Sequence, residues 1–248
     1  MGRLDGKVAI ITGAARGMGE SHAKRFIKEG AKVTLTDVNE EAGRALAELL
    51  GDNARFIAQD VTVLADWTRV VQETEDAFGP VTILVNNAGI LGPMTKTADL
   101  DEDDYQKVMS INADSQFLGM KAVLPSMLKA GIGSIVNISS LAGLRANYGF
   151  PSLAYVASKF ATRGMTKAVA AEYGANNIRA NSVHPGFINT PMMVEATDEG
   201  GGDALAQIFL GRLAEADEVS SLVLFLASDE SSYITGAEHK IDAGMSAH

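Results

Sequence analysis

Val8-Ala9-Ile10-Ile11 passes directly into Thr12-Gly13-Ala14-Ala15-Arg16-Gly17-Met18-Gly19. That turn opens a segment from Glu20 to Glu29 with Ala23, Phe26 and Ile27 on one helical face. A short apolar, β-branched run reads as a buried strand, and Gly30 closes the helix. A glycine-rich turn between a strand and a helix N-terminus constrains the fold more than any other stretch of this chain. Glycines there let backbone N–H groups approach a pyrophosphate, and the helix dipole favours the anion. Glycine spacing alone is a weak signal; the strand-turn-helix setting gives it weight. The competing reading is an ordinary tight loop.

The alternation continues. Lys32–Asp37, Arg55–Gln59, Val81–Val85, Ser134–Ile138 and Ile178–Val183 read as strands, and Glu238–Gly244 as a last strand with its turn. Between them, Ala42–Leu50, Leu64–Phe78, Phe117–Lys129, Ala154–Tyr173 and a stretch from Glu215 to Ala227 read as helices. This order predicts an α/β fold: a single doubly wound (Rossmann) domain over residues 1–248, its parallel seven-stranded sheet flanked by helices on both faces. Ligands of such sheets bind at the carboxyl ends of the strands, at the switch point. Gly13, Asp37, Asp60 and Asn86 fall at those ends.

Asp37 lies 18 residues beyond Gly19. A carboxylate at about that distance accepts from the adenosine ribose hydroxyls and repels a 2′-phosphate, which favours NAD over NADP. Arg16 argues mildly the other way, since a cation in this loop meets such a phosphate well. The competing role for Asp37 is a helix cap ahead of Asn39-Glu40-Glu41.

The bulk numbers exclude several classes. A net charge of −10 disfavours nucleic acid as a partner. The absence of cysteine rules out disulfides, thiolate metal sites and cysteine nucleophiles, and suits a cytoplasmic protein. No apolar run approaches the roughly 20 residues of a membrane span, and the start of the sequence lacks the apolar core of a signal peptide.

Tyr155-Val156-Ala157-Ser158-Lys159 carries the chemistry. The i, i+4 spacing puts phenol and ammonium on one helical face. A free phenol, with a pKa of about 10, is a poor base at neutral pH, and a nearby ammonium favours the phenolate. The expectation is a phenol lowered by Lys159 that trades a proton with a carbonyl or alcohol. An exposed pair on an amphipathic helix is the plain alternative.

Taken together, Thr12-Gly13-x-x-x-Gly17-x-Gly19, Asp60-Val61, Asn86-Asn87-Ala88-Gly89, Tyr155-x-x-x-Lys159 and Pro185-Gly186 resemble the ordered motifs of the classical short-chain dehydrogenases/reductases. The likeness runs from Lys7 to Gly244. It implies a catalytic set of Asn112, Ser140, Tyr155 and Lys159. It also implies that Gly13, Arg16, Gly17, Met18, Gly19, Asp37 and Val38 line the dinucleotide site. Asp60 and Val61 are expected at the adenine, and Asn87, Ala88 and Gly89 beside the nicotinamide ribose, with Tyr155 and Lys159. Pro185, Gly186, Ile188 and Thr190 are expected near the carboxamide. Ser140 is 15 and Ser139 is 16 residues ahead of Tyr155, a longer loop than is common in the family; Ser-Ser-x-x-Gly ending at Gly143 favours Ser140. His184 reads as a structural or pocket-wall residue.

The resemblance implies an oxidoreductase that moves a hydride between NAD(H) and a secondary alcohol or ketone, with no metal. Leu141, Leu144, Tyr148, Phe150 and Met192 point to a small-molecule apolar alcohol or ketone: cyclic, aryl or steroid-like. Residues from about 187 to 211, with three consecutive glycines, read as a substrate lid. Helices beside Asn112 form subunit contacts in the family, so a homo-oligomer, a tetramer, is expected. A 3-oxoacyl thioester reductase of the same family and a non-catalytic dinucleotide-binding protein are the alternatives.

Overall fold

A computed structural model describes residues 2–146, 150–196 and 208–247. Strands β1 (Val8–Thr12), β2 (Lys32–Asp37), β3 (Ala54–Ala58), β4 (Ile83–Asn86), β5 (Gly133–Ile138), β6 (Ile178–Pro185) and β9 (Glu238–Ile241) form one sheet. Its order is β3-β2-β1-β4-β5-β6-β9, with every pairing parallel. A separate two-stranded piece pairs β7 (Ile188–Asn189) with β8 (Ala214–Glu215).

Side-chain alternation along the strands builds a core on each face. Ala9, Ile11, Val33 and Leu35 pack with Phe26 of α1 (Gly17–Lys28), Leu46 of α2 (Glu40–Leu50) and Val223 of α8 (Ala216–Ala227). Ile10, Leu84 and Ile135 face the other way, onto Trp67 of α3 (Leu64–Phe78), Val123 of α5 (Ser115–Ala130) and Ala170 of α6 (Leu153–Tyr173). Burial on both faces explains why the strands read as continuous apolar runs. The chain reverses direction across the sheet between β1 and β4, so their carboxyl ends open a crevice.

Two helix boundaries depart from the sequence reading, while the last strand and its turn match it. Helix α1 begins at Gly17, not Glu20, so the later glycines of the turn form its first turn. The last strand ends at Ile241, and Asp242 then closes a turn by accepting from the backbone of Gly244 and Ser246 (3.1 and 2.9 Å). Between α4 (Glu102–Met109) and α5, residues Ser110–Asp114 form a π-helical turn. The helix thus runs through Asn112 with one widened turn, a feature often found at functional sites. Of the expected lid, α7 (Pro191–Ala196) and residues from Ile208 onward are described; its middle and Tyr148 lie outside the described residues. No described helix is long and apolar enough to cross a membrane.

Candidate active site

Two adjoining cavities lie over the carboxyl ends of the strands. The larger, of about 530 Å³, is bordered by Gly13, Arg16, Gly17, Met18, Asp37, Val38, Asp60, Val61, Asn87, Ala88, Gly89 and Thr190. All twelve were expected there. Gln59, Thr62, Ile90, Lys107, Ser110, Ile111, Pro191 and Met192 also border it, and the sequence reading did not single them out for it. Gly19 does not border the cleft. A Cβ on it would collide with the carbonyl oxygen of Gly13, so it lets the turn fold back over the helix start. Gly13 has φ +62°, and a Cβ on it would sit 2.9 Å from Ala88 Cα. Asn87 ties the two loops together: its Nδ2 donates to the carbonyls of Thr12 and Gly13 (2.9 and 3.1 Å). Thr12 Oγ1 in turn accepts from the backbone N–H groups of Asn87 and Ala88 (both 3.0 Å).

Asp37 ends β2 at the rim. Its Oδ2 accepts from the N–H of Ala15 and its Oδ1 from the N–H of Asn39 (both 3.0 Å). Asn39 caps α2 by accepting from Ala42 N, so Asp37 braces the glycine-rich turn and does not cap the helix. Asp60 accepts from the backbone and hydroxyl of Thr62 (2.9 and 2.7 Å). Trp67 Nε1 donates to the Val61 carbonyl (2.8 Å) and fixes that turn. A cleft of this size fits the range of cofactor pockets. Its glycine-rich edge, where Gly13 and Gly19 let the turn pack against Ala88 and the helix start, suits a pyrophosphate, and the Asp37 carboxylate suits ribose hydroxyls.

The smaller cavity, of about 140 Å³, shares Met18, Thr190 and Met192 with the cleft. Ser140, Tyr155, Pro185, Gly186 and Ile188 border it. The last three were expected at the cofactor; they border this smaller cavity and not the larger cleft. Leu141, Phe150 and Met192 line it as expected. Leu144 does not: it packs with Ile208 and Met245 beneath the site. Leu91, Met94, Phe187 and Met193 line it as well. No charged side chain borders this cavity among the described residues.

Tyr155 and Lys159 face the same side of α6, with Lys159 Nζ 5.5 Å from the phenol ring centre. Lys159 is buried and donates to the Ile138 carbonyl (3.1 Å). A Cβ on Gly89, which borders the cleft, would come within 3.5 Å of Nζ, so the ammonium lies close behind that glycine. The phenol is raised, not lowered. Burial pushes Tyr155 up, opposed by the Ser140 side chain, while burial pulls Lys159 down to about 8. Desolvation disfavours both charged forms at once.

The two serines have separate partners. Ser139 Oγ donates to the Lys159 carbonyl (2.8 Å) and is buried. Ser140 faces Tyr155 and accepts from Ala142 N (3.1 Å). Asn112 is fully buried. Its Oδ1 accepts from Ile90 N, and its Nδ2 donates to Ile90 O (both 2.8 Å) and Ser158 Oγ (3.2 Å). It therefore joins the loop after β4 to the helix that bears Tyr155.

A family profile described as enoyl-(acyl carrier protein) reductase matches residues 13–246. The chain is 49% identical over 243 residues to a 3-alpha-(or 20-beta)-hydroxysteroid dehydrogenase of Mycobacterium bovis, covering 98% of this chain and 90% of that protein. The chain is a classical short-chain dehydrogenase/reductase. It is 46% identical to trans-4-hydroxycyclohexanecarboxylate dehydrogenase of Sinomonas cyclohexanicum, over 99% of this chain and 95% of that one. A crystal structure of a short-chain type dehydrogenase/reductase from Mycobacterium marinum superimposes with a TM-score of 0.95 at 31% identity, covering 99% of this chain and 97% of that one. As a member of this family the protein is an oxidoreductase that acts on CH–OH groups with a nicotinamide dinucleotide, interconverting secondary alcohols and ketones.

Proposed function

We propose that this dehydrogenase uses NAD and acts on neutral, apolar secondary alcohols and ketones built on a ring. The observation that carries the reading is the uncharged cavity that presents Tyr155 and Ser140 and opens onto the dinucleotide cleft. The names of the two relatives, a hydroxysteroid and a hydroxycyclohexanecarboxylate dehydrogenase, support a ring. Asp37 at the rim supports NAD, because a carboxylate there opposes a 2′-phosphate.

Bound NAD supplies the hydride acceptor. Gly13, Arg16, Gly17 and Met18 receive the pyrophosphate, with Gly19 closing their turn onto the helix start, Asp37 and Val38 the ribose, Asp60 and Val61 the adenine. Asn87, Ala88, Gly89, Lys159, Pro185, Gly186, Ile188 and Thr190 hold the nicotinamide end. Tyr155 takes the proton of the alcohol or returns it to the ketone. Lys159 keeps the phenol acidic once its own charge is supported, and Ser140 donates to the substrate oxygen, as a preorganised donor does where charge develops. Asn112 keeps the relay aligned. Residues 187–211 serve as the lid of a single domain spanning the chain. The exposed Phe117 and Leu128 of α5 and Phe160 of α6 support an oligomer, read as a tetramer, and the cysteine-free sequence supports a cytoplasmic setting.

An absorbance assay of reduced nicotinamide tests this, with NAD or NADP and a panel of cyclohexanol, 1-phenylethanol, a 3-hydroxysteroid and a hydroxyacyl thioester. Turnover of the neutral ring alcohols with NAD is expected. Turnover confined to the thioester with NADP would overturn the reading.

A further inference from the structure

The turn that carries Ser140 is held from below by a residue outside the expected catalytic set. His184 lies on β6 and is fully buried. Its Nδ1 is 3.0 Å from the Ser140 carbonyl oxygen, and its Nε2 is 2.9 Å from Ser182 Oγ. A carbonyl only accepts, so Nδ1 carries the hydrogen, and Nε2 of the neutral ring then accepts from the Ser182 hydroxyl. Both ring nitrogens are thereby satisfied and the ring has one orientation.

The same turn is held at two other points. Ser139 Oγ donates to the Lys159 carbonyl (2.8 Å). Arg163, one helical turn beyond Lys159, donates through Nη1 to the Gly143 carbonyl (2.9 Å) while Glu238 holds its Nη2 (3.0 Å to each oxygen). Gly143 packs so closely on α6 that a Cβ would collide with Ser139 Oγ. Of these three side-chain anchors, only His184 grips the backbone of Ser140 itself; the neighbouring Ser139 N–H also donates to the Val183 carbonyl (2.8 Å).

We propose that His184 is a positioning residue for the reaction: by donating from Nδ1 to the Ser140 carbonyl, it aims the Ser140 hydroxyl at the place where Tyr155 exchanges a proton with the substrate. A histidine that merely fills the core would be replaceable by any side chain of similar volume, whereas a positioning donor is replaceable only by another donor at the same place. Burial lowers the pKa of His184, Arg163 and Lys159 add to that effect, and the Ser140 bond and Glu238 oppose it. The neutral ring that the geometry requires is therefore the stable form.

The proposal rests on the reading of Ser140 as the oxyanion donor, and three variants test it. Asn at 184 keeps an amide N–H near the position of Nδ1; Gln moves it outward toward Nε2; Leu keeps volume without a donor. With NAD and cyclohexanol, His184→Leu and His184→Gln are expected to lose roughly 10- to 100-fold in kcat, as small misplacements do. The KM for cyclohexanol and the Kd for NADH, read by fluorescence, should stay within about threefold of wild type, because ground-state binding is untouched. His184→Asn should recover most of the lost kcat.

Hydrogen exchange gives a readout independent of turnover. The amides of Ala142 and Gly143, bonded to the Ser140 hydroxyl and carbonyl, should exchange faster in His184→Gln than in wild type or His184→Asn. Wild-type kcat in His184→Gln, or equal loss in the Asn and Gln variants, would overturn the proposal. If the wild type turns over no alcohol of the panel, the proposed function fails, and unchanged exchange across the variants would separately overturn the role of His184. Should His184→Leu not fold, the Asn and Gln pair carries the test.

Discussion

The dinucleotide cleft and the substrate cavity share a wall but are built in different ways. The cleft is bordered by strand ends and by a turn whose glycines let the loops pack closely; at its rim Asp37 is fixed by two backbone donors. The cavity is made of side chains from loops, strand ends and helix starts, with Met18, Met94, Met192 and Met193 among them. Methionine is flexible and adapts to irregular shapes. The contrast teaches that cofactor recognition is a property of the fold, and substrate recognition a property of what the loops carry. Tyr155 and Lys159 stand at the junction, one open to the cavity and one beneath Gly89.

The largest effect should come from the junction. Tyr155→Phe is expected to lower turnover by roughly 10³-fold, within the usual contribution of general acid–base catalysis, while NADH fluorescence reports unchanged binding. An equal loss of binding would mean that the two halves are not separable. Next is the cost of burying Lys159. The unfolded chain keeps that proton to about pH 10.4, whereas the folded chain releases it near 8. Between these values the unfolded state binds more protons, so stability should rise with pH. The gain across that window is about 3 kcal/mol. Urea unfolding of the ligand-free protein from neutral pH up to about 10 checks this slope, and Lys159→Met should remove it while abolishing turnover.

A third effect sharpens the cofactor side alone. Asp37→Ser should shift the preference from NAD toward NADP by roughly tenfold or more, since a like-charge contact is relieved. The cyclohexanol KM should not move. The smallest effect belongs to the cavity. Met192→Ala should change relative kcat/KM among ring alcohols by about 10-fold or less, the range for small changes in apolar contact. Because Met192 also borders the cleft, NADH affinity measured in parallel tells whether its part is confined to the substrate.

The same contrast explains what was legible in the sequence. Strand ends, glycine spacing and Asp37 follow from local rules, so the strand-end residues that border the cleft were legible, whereas Lys107, Ser110 and Ile111, which reach it from α4 and the π-helical turn, were not. Leu144 was misassigned because an apolar residue in an irregular loop carries no periodic sign of direction; it turns inward onto Ile208 and Met245. Leu91, Met94 and Phe187 went unnoticed for the same reason. The π-helical turn around Asn112 leaves no mark in composition, since an i→i+5 step needs no particular residue. The choice between Ser139 and Ser140 required partners distant in sequence: the Lys159 carbonyl for one, Tyr155 and His184 for the other. The raised phenol was not legible, because i, i+4 spacing shows the nearness of Lys159 but not the burial that pushes Tyr155 up.

That point leads to the most direct test. The phenolate absorbance of Tyr155, taken as the difference between wild type and Tyr155→Phe, can be titrated with and without saturating NAD. Without NAD the phenol should titrate above the ordinary tyrosine range, and with NAD its pKa should fall markedly in the wild type but not in Lys159→Met. A phenol that stays high with NAD bound, in a protein that still turns over cyclohexanol, would contradict the account.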